Sequence, residues 1–240
     1  MSYIEVRDLK KEYKTGKIKF EALKGIDMDI KSGEVLSILG PSGCGKSTLL
    51  NCLSGIDNPT CGKVVIGGTD IHSLKDDNMT YFRAVNMGFI FQFYNLIPVL
   101  NVIENVELAM LSSGKSEKEA RNAAKSVLER VGLSDRVNYY PSNLSGGERQ
   151  RVSIARALVH TPKIIWADEP TGALDTETGK KIMELIIKLN EEYNQTFVIV
   201  THDERISNYS DRILKMDSGR IIETISLQRE KNSEIDFERK

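Results

Sequence analysis

The fold is decided by one stretch of the chain, Gly40-Pro41-Ser42-Gly43-Cys44-Gly45-Lys46-Ser47. This stretch fits the phosphate-loop pattern GxxxxGK[ST] at every fixed position. The apolar run before it, residues 35–39, predicts a buried strand, and residues 46–54 after it are predicted to form a helix. A strand, a glycine loop and a helix form the context in which this pattern binds the phosphates of a nucleoside triphosphate.

Individual residues of this loop have predicted roles. Glycines let backbone N–H groups turn towards phosphate oxygens, and the following helix adds the positive end of its dipole. Lys46 is predicted to reach the β- and γ-phosphates, Ser47 to ligate Mg²⁺, and Thr48 to assist with the phosphates. An ordinary glycine turn is the alternative, and the complete motif between a strand and a helix argues against it.

The chain has a second glycine loop, Leu144-Ser145-Gly146-Gly147-Glu148-Arg149-Gln150. It immediately precedes residues 148–160, whose apolar spacing predicts a helix. A helix start leaves about four backbone N–H groups unpaired. Two glycines let a phosphate approach that end, and Ser145 can cap the helix or donate a hydrogen bond. The sequence therefore predicts a second anion-binding loop, with a plain serine-capped helix as the alternative.

An acidic pair, Asp168-Glu169, follows the apolar run 164–167. An acid at the carboxyl end of a strand in an open α/β sheet lies at the ligand crevice. Asp168 fits the metal-holding role that pairs with the phosphate-loop serine. Glu169 is placed to orient or deprotonate an attacking water. Taken alone, the pair could also be a solvated strand end.

Bulk composition limits the class of function. The 240 residues include 33 Lys plus Arg and 34 Asp plus Glu, a balance that argues against a dedicated nucleic-acid binder. Cys44, Cys52 and Cys61 have no metal-like spacing and favour a reduced, cytosolic protein. No run reaches the roughly 18 apolar residues of a membrane span, and the N-terminus lacks a signal-peptide pattern. Any membrane role is thus expected to come through a partner, without direct insertion.

Hydrophobic periodicity predicts an α/β core interrupted by helices. Strand-like runs occur at residues 3–9, 18–30, 35–39, 63–66, 87–91, 163–167, 196–200 and 212–216. Helical spacing dominates between residues 92 and 163, and a later helix is predicted over 178–193. We expect four parts: an antiparallel β subdomain with the first part of a P-loop core (1–92), a helical subdomain with the second loop (93–162), the second part of the core (163–227) and a charged tail (228–240).

The two loops and the run Asp168-Glu169-Pro170-Thr171-Gly172-Ala173-Leu174-Asp175 together resemble the ATP-binding-cassette (ABC) ATPases. The resemblance covers nearly the whole chain. It implies an α/β fold, a P-loop NTPase (RecA-like) core with an N-terminal antiparallel β subdomain and an inserted α-helical subdomain. It also implies ATP hydrolysis with ATP and Mg²⁺ as cofactors.

The resemblance extends to single residues. Gln92 resembles the glutamine that contacts Mg²⁺ and water and senses the membrane partner, and His202 resembles the switch histidine at the γ-phosphate. Tyr13 lies where the family places an aromatic ring on adenine, and Asp175 lies in the family's D-loop. Residues 145–148 match the signature loop. Without the resemblance, Gln92 is a polar residue leaving a strand, His202 a structural histidine and Tyr13 a locally packed ring.

The resemblance also implies an assembly. In ABC ATPases the signature loop of one copy closes on the nucleotide held by the phosphate loop of another. The expected partners are therefore a second copy of the chain, in an ATP-sandwich dimer, and a transmembrane permease. The expected location is cytoplasmic, peripheral on the inner face of the cell membrane through the permease. ATP binding would close the dimer and hydrolysis would open it.

Three segments narrow the resemblance: residues 87–98 (MGFIFQFYNLIP), 139–141 (YYP) and 168–175 (DEPTGALD). They resemble the macrolide-export, lipoprotein-release and antimicrobial-peptide-resistance branch, and cell-division ATPases share much of this pattern. A soluble ABC ATPase of DNA repair would carry a long coiled coil between Gln92 and Leu144, and the short segment here argues against that class. ABC ATPases of translation usually have two cassettes per chain, and the single copy of each motif argues against them. A module that binds ATP without turnover would lack Glu169 or His202. The signature loop argues against a small-molecule kinase.

Cys44 departs from the family pattern, where serine is frequent. It lies beside Lys46 and a predicted helix N-terminus, and both features lower a thiol pKa. The sequence therefore predicts a reactive thiol whose alkylation inhibits ATP hydrolysis, with MgATP protecting it.

Overall fold

The computed structural model describes residues 2–16 and 18–227. The strands are β1 (Ser2–Thr15), β2 (Ile18–Lys31), β3 (Val35–Leu39), β4 (Cys61–Ile66), β5 (Thr69–Asp70), β6 (Met87–Phe91), β7 (Ile164–Asp168), β8 (Thr196–Thr201), β9 (Arg212–Asp217) and β10 (Arg220–Ser226). The helices are α1 (Lys46–Leu53), α2 (Asp76–Asn86), α3 (Val102–Ser112), α4 (Glu117–Arg130), α5 (Gly146–Leu158), α6 (Thr176–Tyr193) and α7 (Glu204–Ser207). The predicted charged tail, 228–240, lies outside the described residues.

The strands form two sheets. The first is antiparallel, in the order β2-β1-β4-β5, and contains the long hairpin of β1 and β2. The second has the order β10-β9-β3-β8-β7-β6, in which β9 to β6 run parallel and β10 is an antiparallel edge. All residues of β3 and β8 are buried, as expected of parallel strands covered on both faces. This α/β architecture confirms the predicted fold class.

The parallel sheet brings the site together. The carboxyl ends of parallel strands meet at one edge of a sheet. At this edge β3 leads into the phosphate loop, β7 ends at Asp168, and β8 ends at Thr201. The neighbouring β6 ends at Phe91, one residue before Gln92. Four predicted site segments that are distant in sequence therefore lie side by side.

The helical segment is α3, α4 and α5, packed against one another. Its interior is one apolar cluster shared with the adjacent face of the parallel sheet. Two helix starts are fixed by capping boxes, Asn101 with Glu104 on α3 and Ser116 with Glu119 on α4. Among the described residues, no helix combines the length and apolar character that crossing a bilayer requires.

Several predicted boundaries were wrong. Helix α5 begins at Gly146 rather than at Glu148, because both glycines join the first turn behind the Ser145 cap. Helix α6 begins at Thr176 behind the Asp175 cap. Helix α2 was not predicted, because it is mostly exposed and buries only Met79. Strand β10 was missed as well, since it is an exposed edge strand whose alternation is broken by a register shift at Ile221.

A buried asparagine orders the segment that leads into α3. Asn105 has no solvent exposure, and its side chain accepts a hydrogen bond from Ile97 N (2.7 Å). The same side chain donates to the carbonyl oxygens of Ile97 (3.1 Å), Leu100 (2.9 Å) and Asn101 (3.0 Å). The two N–H groups of the amide are thus shared among three carbonyl oxygens, and one side chain contacts four backbone groups of a turn that has no sheet partner.

We expect Asn105→Ala to lower the free energy of unfolding by about 1–3 kcal/mol, because buried backbone groups lose their partner. The measurement is the midpoint of urea unfolding, compared between variants whose unfolding free energy has the same slope against urea concentration. The exposed Asn122→Ala on α4 is the control, with an expected change within about 0.5 kcal/mol. Equal midpoints for the two variants would contradict the role of Asn105.

Candidate functional site

The phosphate loop lies between β3 and α1 and depends on its glycines. Gly43 (φ +79°) and Gly45 (φ +106°) adopt the left-handed conformation that side chains disfavour. A Cβ on Gly40 would collide with the carbonyl of Met216, and one on Gly45 would lie 2.7 Å from the Ala22 carbonyl oxygen. Pro41, Ser42 and Gly43 are exposed at the tip. The loop is therefore a tight backbone turn with a solvent-facing rim.

The side chain of Lys46 contacts the backbone of the phosphate loop. This side chain is buried, and Nζ donates to the carbonyl oxygens of Gly40 (2.8 Å) and Pro41 (2.9 Å). Within the described residues the ammonium has no carboxylate partner. An anion seated in the loop would supply the missing countercharge.

Ser47 and Asp168 face each other across the ends of β3 and β7. Ser47 Oγ donates to Asp168 Oδ1 at 3.2 Å. Burial raises the pKa of Asp168 and outweighs the hydrogen bond from Ser47, which lowers it. The charge of the adjacent Glu169 raises this pKa and the charge of Lys46 lowers it, both by less. A divalent cation between the hydroxyl and the carboxylate would favour the charged carboxylate. Both are hard oxygen ligands of the kind Mg²⁺ prefers, so this pair fits the ion.

Glu169 is held from three directions. Its backbone is left-handed (φ +48°), and its N–H donates to Val200 O at 2.9 Å. Oε2 accepts from Thr201 Oγ1 at 3.3 Å, and Oε1 lies 2.7 Å from His202 Nδ1. A strained non-glycine residue persists only when its surroundings fix it, as at many active sites. The predicted pair Glu169 and His202 is thus in direct contact.

Gln92 packs against the segment that follows Glu169. A Cβ on Gly172 would lie 2.8 Å from Gln92 Nε2 and 3.3 Å from Glu169 Cβ. The space at Gly172 is therefore closed by two predicted site side chains. Gln92, Glu169 and His202 form one group at the edge of the sheet, beside Ser47 and Asp168.

The second loop is the capped start of α5. Ser145 Oγ accepts from Glu148 N (3.2 Å), and Glu148 Oε2 accepts from Ser145 N (2.8 Å). That backbone hydrogen bond lowers the pKa of Glu148, and Arg136 Nε lies 3.1 Å from its other oxygen. Glu148 is therefore occupied in the cap, whereas the first-turn N–H groups of Gly146 and Gly147 have no partner within the helix.

Two predicted nucleotide contacts have structural partners of their own. Tyr13 donates to Asp57 Oδ2 at 2.9 Å, and Lys11 Nζ lies 4.9 Å from the centroid of its ring. The lysine therefore covers one face of the ring. Asp175 Oδ1 accepts from Thr178 N at 3.0 Å, so the carboxylate caps α6. Hydrogen bonds from the Thr178 side chain and, to a smaller extent, from its backbone lower the Asp175 pKa.

The two anion-binding loops are not joined. Among the described residues, no hydrogen bond or ion pair connects residues 145–148 with residues 40–47. The signature loop instead contacts Leu174 and Tyr94, which lie 3.1 Å from a Cβ built on Gly146, and Thr178, which lies 2.7 Å from one built on Gly147. Each loop therefore presents its free N–H groups separately.

The prediction of a lowered Cys44 pKa was wrong. The thiol is buried, and burial raises its pKa in spite of the nearby Lys46 charge, because the thiolate would lose its hydration. Cys52 is also buried, with a pKa raised to about 12, whereas Cys61 is exposed. The sequence indicated the charge beside Cys44 but not the packing around it.

We therefore expect a brief treatment with N-ethylmaleimide at neutral pH to modify Cys61 first and to leave ATP hydrolysis intact. Peptide mass spectrometry locates the label, and Cys61→Ser is the control that removes the fast reaction. Rapid labelling of Cys44 in parallel with loss of activity would restore the original hypothesis.

A groove that the motif analysis missed lies between α2, β6, α3 and α5. Its volume is about 530 Å³, and its walls include Arg83, Phe89, Phe91, Leu108, Arg156 and His160. Burial lowers the pKa of Arg156, whose guanidinium donates to the carbonyl oxygens of Tyr94 (2.8 Å) and Asn95 (2.6 Å). The groove begins next to Gln92, at the end of β6. Apolar side chains from four elements form it together with Arg83, Arg156 and His160, and no single sequence motif encodes such a surface.

Comparisons with known proteins agree with this geometry. The family described as ABC transporter matches residues 23–172. The chain is 46% identical to the uncharacterized ABC transporter ATP-binding protein YknY of Bacillus subtilis, over 94% of this chain and 98% of the relative. It is 45% identical to the lipoprotein-releasing system ATP-binding protein LolD of Legionella pneumophila, over 88% and 93%.

The chain also resembles solved structures, both in fold and in sequence. The dimeric, post-hydrolysis structure of the ATP-binding cassette MJ0796 bound to ADP and Pi superposes with a TM-score of 0.87 and 43% identity. The match covers 94% of this chain and 99% of that one, and MJ0796 comes from Methanocaldococcus jannaschii. The two loops, the sheet edge that joins Ser47, Asp168 and Glu169, and these matches lead to one conclusion: the chain belongs to the ABC transporter family, as an ATP-binding subunit with ATPase activity.

Proposed function

We propose that two copies of this chain hold two ATP molecules, each between residues 40–47 of one copy and residues 145–148 of the other. The observation that carries this proposal is the separation of the two loops within one chain. Each loop offers unpaired N–H groups, and neither is completed by the other among the described residues. The dimeric MJ0796 structure supports the same arrangement by similarity.

In this proposal the sheet edge binds the metal and the phosphates. Ser47, Asp168 and Gln92 would hold Mg²⁺, which when bound neutralises charge between the phosphates. Lys46 and the loop N–H groups bind the β- and γ-phosphates, and Thr48 lies one residue further along α1. Tyr13 would stack on the adenine base with the ring face that Lys11 does not cover.

Glu169 is the proposed general base. Its carboxylate accepts hydrogen bonds from Thr201 and His202, so its orientation is fixed at the sheet edge. From there it takes a proton from the water that attacks the γ-phosphate. His202 holds the carboxylate in place and reaches the γ-phosphate. Ser145, Gly146 and Gly147 complete the site from the second copy, while Glu148 and Asp175 support it by capping α5 and α6.

The chain is proposed to have four parts, and the six-stranded sheet takes strands from the first and the third of them. Residues 1–92 would form the antiparallel β subdomain with the first part of the core, 93–162 the helical subdomain, and 163–227 the second part of the core. The helical subdomain would carry the signature loop towards the second copy. The tail 228–240 remains a fourth part by sequence alone.

We further propose that the chain drives a membrane permease of the export or mechanotransmission type, from the cytoplasmic face. The 45% identity to a lipoprotein-releasing system ATP-binding protein supports this branch. The groove between α2, β6, α3 and α5 is the proposed docking site for a short permease helix with an apolar face. Its position beside Gln92 would link the permease to the catalytic group.

Leu108→Glu should release the chain from the membrane fraction, because it places a charge in the apolar wall of the groove. The measurement is sedimentation of membranes from cells that produce the chain from its own gene. The control is Leu111→Glu, on the same helix but outside the groove, which should stay with the membranes. Retention of Leu108→Glu, with ATP hydrolysis of the purified chain unchanged, would argue against docking in this groove.

A further inference from the structure

The loop after Gln92 is held in an unusual conformation by an arginine of α5. Tyr94 (φ +61°) and Asn95 (φ +48°) are consecutive left-handed residues, a conformation that side chains disfavour. Arg156 donates to the carbonyl oxygens of both, at 2.8 Å and 2.6 Å. In the described part of the chain Arg156 has no carboxylate partner. Its half-buried guanidinium therefore helps to fix these two residues.

Tyr94 reaches from this loop to the signature loop, residues 145–148. The guanidinium carbon of Arg149 lies 5.5 Å from the centroid of the Tyr94 ring. Tyr94 Oη is 3.1 Å from the position that a Cβ would occupy on Gly146, and Leu174 Cδ2 is at the same distance. A methyl group on Gly146 would thus meet both side chains at less than the usual contact distance, so Tyr94 or Leu174 would have to shift by a few tenths of an ångström.

Gln92, at the other end of the same loop, contacts the segment that follows Asp168 and Glu169. Gln92 Nε2 lies 2.8 Å from the position of a Cβ on Gly172, in the segment that joins Glu169 to Leu174. The short run from Gln92 to Tyr94 therefore contacts the chain's own catalytic segment at one end and its signature loop at the other. Close-packed contacts of this kind have little free volume and transmit displacement.

We propose that Tyr94 is a positioning residue that sets the signature loop according to the position of Gln92. A chain that has bound ATP in its own phosphate loop would then present residues 145–148 in the correct place for the ATP of its partner. This inference rests on the proposed composite site. In this inference, Tyr94 couples ATP binding at residues 40–47 to the position of residues 145–148.

The first test measures ATP-driven dimerisation in a Glu169→Gln background, by sedimentation velocity. Adding Tyr94→Ala should weaken dimerisation about tenfold, the size of coupling expected for packed neighbours. Binding of a fluorescent ATP analogue to the monomer should change less than about twofold, because residues 40–47 are untouched. Phe93→Ala, at the exposed neighbouring position, is the matched control and should leave both values unchanged.

The second test uses the contact between Tyr94 Oη and Gly146. Gly146→Ala should weaken dimerisation about tenfold, because the new methyl meets the hydroxyl. Adding Tyr94→Phe should restore at least about threefold of this loss, because it removes the crowded oxygen and keeps the ring beneath Arg149. A merely structural tyrosine would give no such rescue.

The outcomes distinguish a failure of the composite site from a failure of the role of Tyr94. If Glu169→Gln alone fails to dimerise with ATP, the composite site is wrong and the role of Tyr94 falls with it. If Glu169→Gln dimerises and Tyr94→Ala has no effect, or if Gly146→Ala and Tyr94→Phe are additive, only the role of Tyr94 is overturned. Should Tyr94→Ala fail to fold, the rescue experiment decides alone.

Discussion

Glu169→Gln is expected to lower ATP hydrolysis about 10²–10⁴-fold while leaving ATP bound, the range associated with loss of a general base. The carboxamide keeps the shape of the carboxylate and its contact with Thr201, so the site stays intact. It no longer accepts the proton of the attacking water. The loss should therefore fall on kcat rather than on KM.

The measurement is steady-state phosphate release together with equilibrium binding of ATP to the same protein. Glu204→Gln, an exposed acid on the neighbouring α7, is the control and should retain normal turnover. Residual turnover within a few-fold of the parent chain would remove Glu169 from the role of base.

Gly146→Asp is expected to reduce turnover about 10²–10³-fold, comparable to removing one preorganised anion contact. The new Cβ would crowd Leu174 and Tyr94, and the carboxylate would face the N–H groups that the partner's phosphate needs. ATP binding to the isolated chain should persist, because residues 40–47 are distant in the chain and not joined to this loop.

Ser142→Asp is the matched control for this prediction. It introduces the same charge three residues before the loop, at an exposed position, and should leave turnover within about twofold, as exposed substitutions usually do. If Gly146→Asp and Ser142→Asp behave alike, the second loop has no part in turnover. If Gly146→Asp loses ATP binding in the monomer, the two loops are not independent.

The catalytic edge was predictable because its residues are tied to strand ends. The phosphate loop, Asp168 and His202 each follow an apolar run, and parallel strands align their carboxyl ends at one edge. The contact between Glu169 and His202 required the strand order, which hydrophobic spacing does not encode. Adjacent β7 and β8 bring these residues together from different parts of the chain.

Other features depended on packing and could not be predicted. The pKa of Cys44 is raised rather than lowered, because the effect of burial outweighs the charge of Lys46. The starts of α5 and α6 moved because Ser145 and Asp175 act as caps, so glycines that look like a loop belong to a helical turn. The contact between Tyr94 and Gly146 joins two loops that are distant in sequence, and hydrophobic spacing does not encode it.

ATP-driven dimerisation of the Glu169→Gln chain shows whether two copies share each ATP site. Size-exclusion chromatography with light scattering is run with ATP, with ADP and without nucleotide. The composite site predicts a dimer of twice the chain's 26.9 kDa with ATP, and a monomer with ADP or none. A chain that binds ATP and stays monomeric at high protein concentration would contradict the claim that each site needs a loop from a second copy.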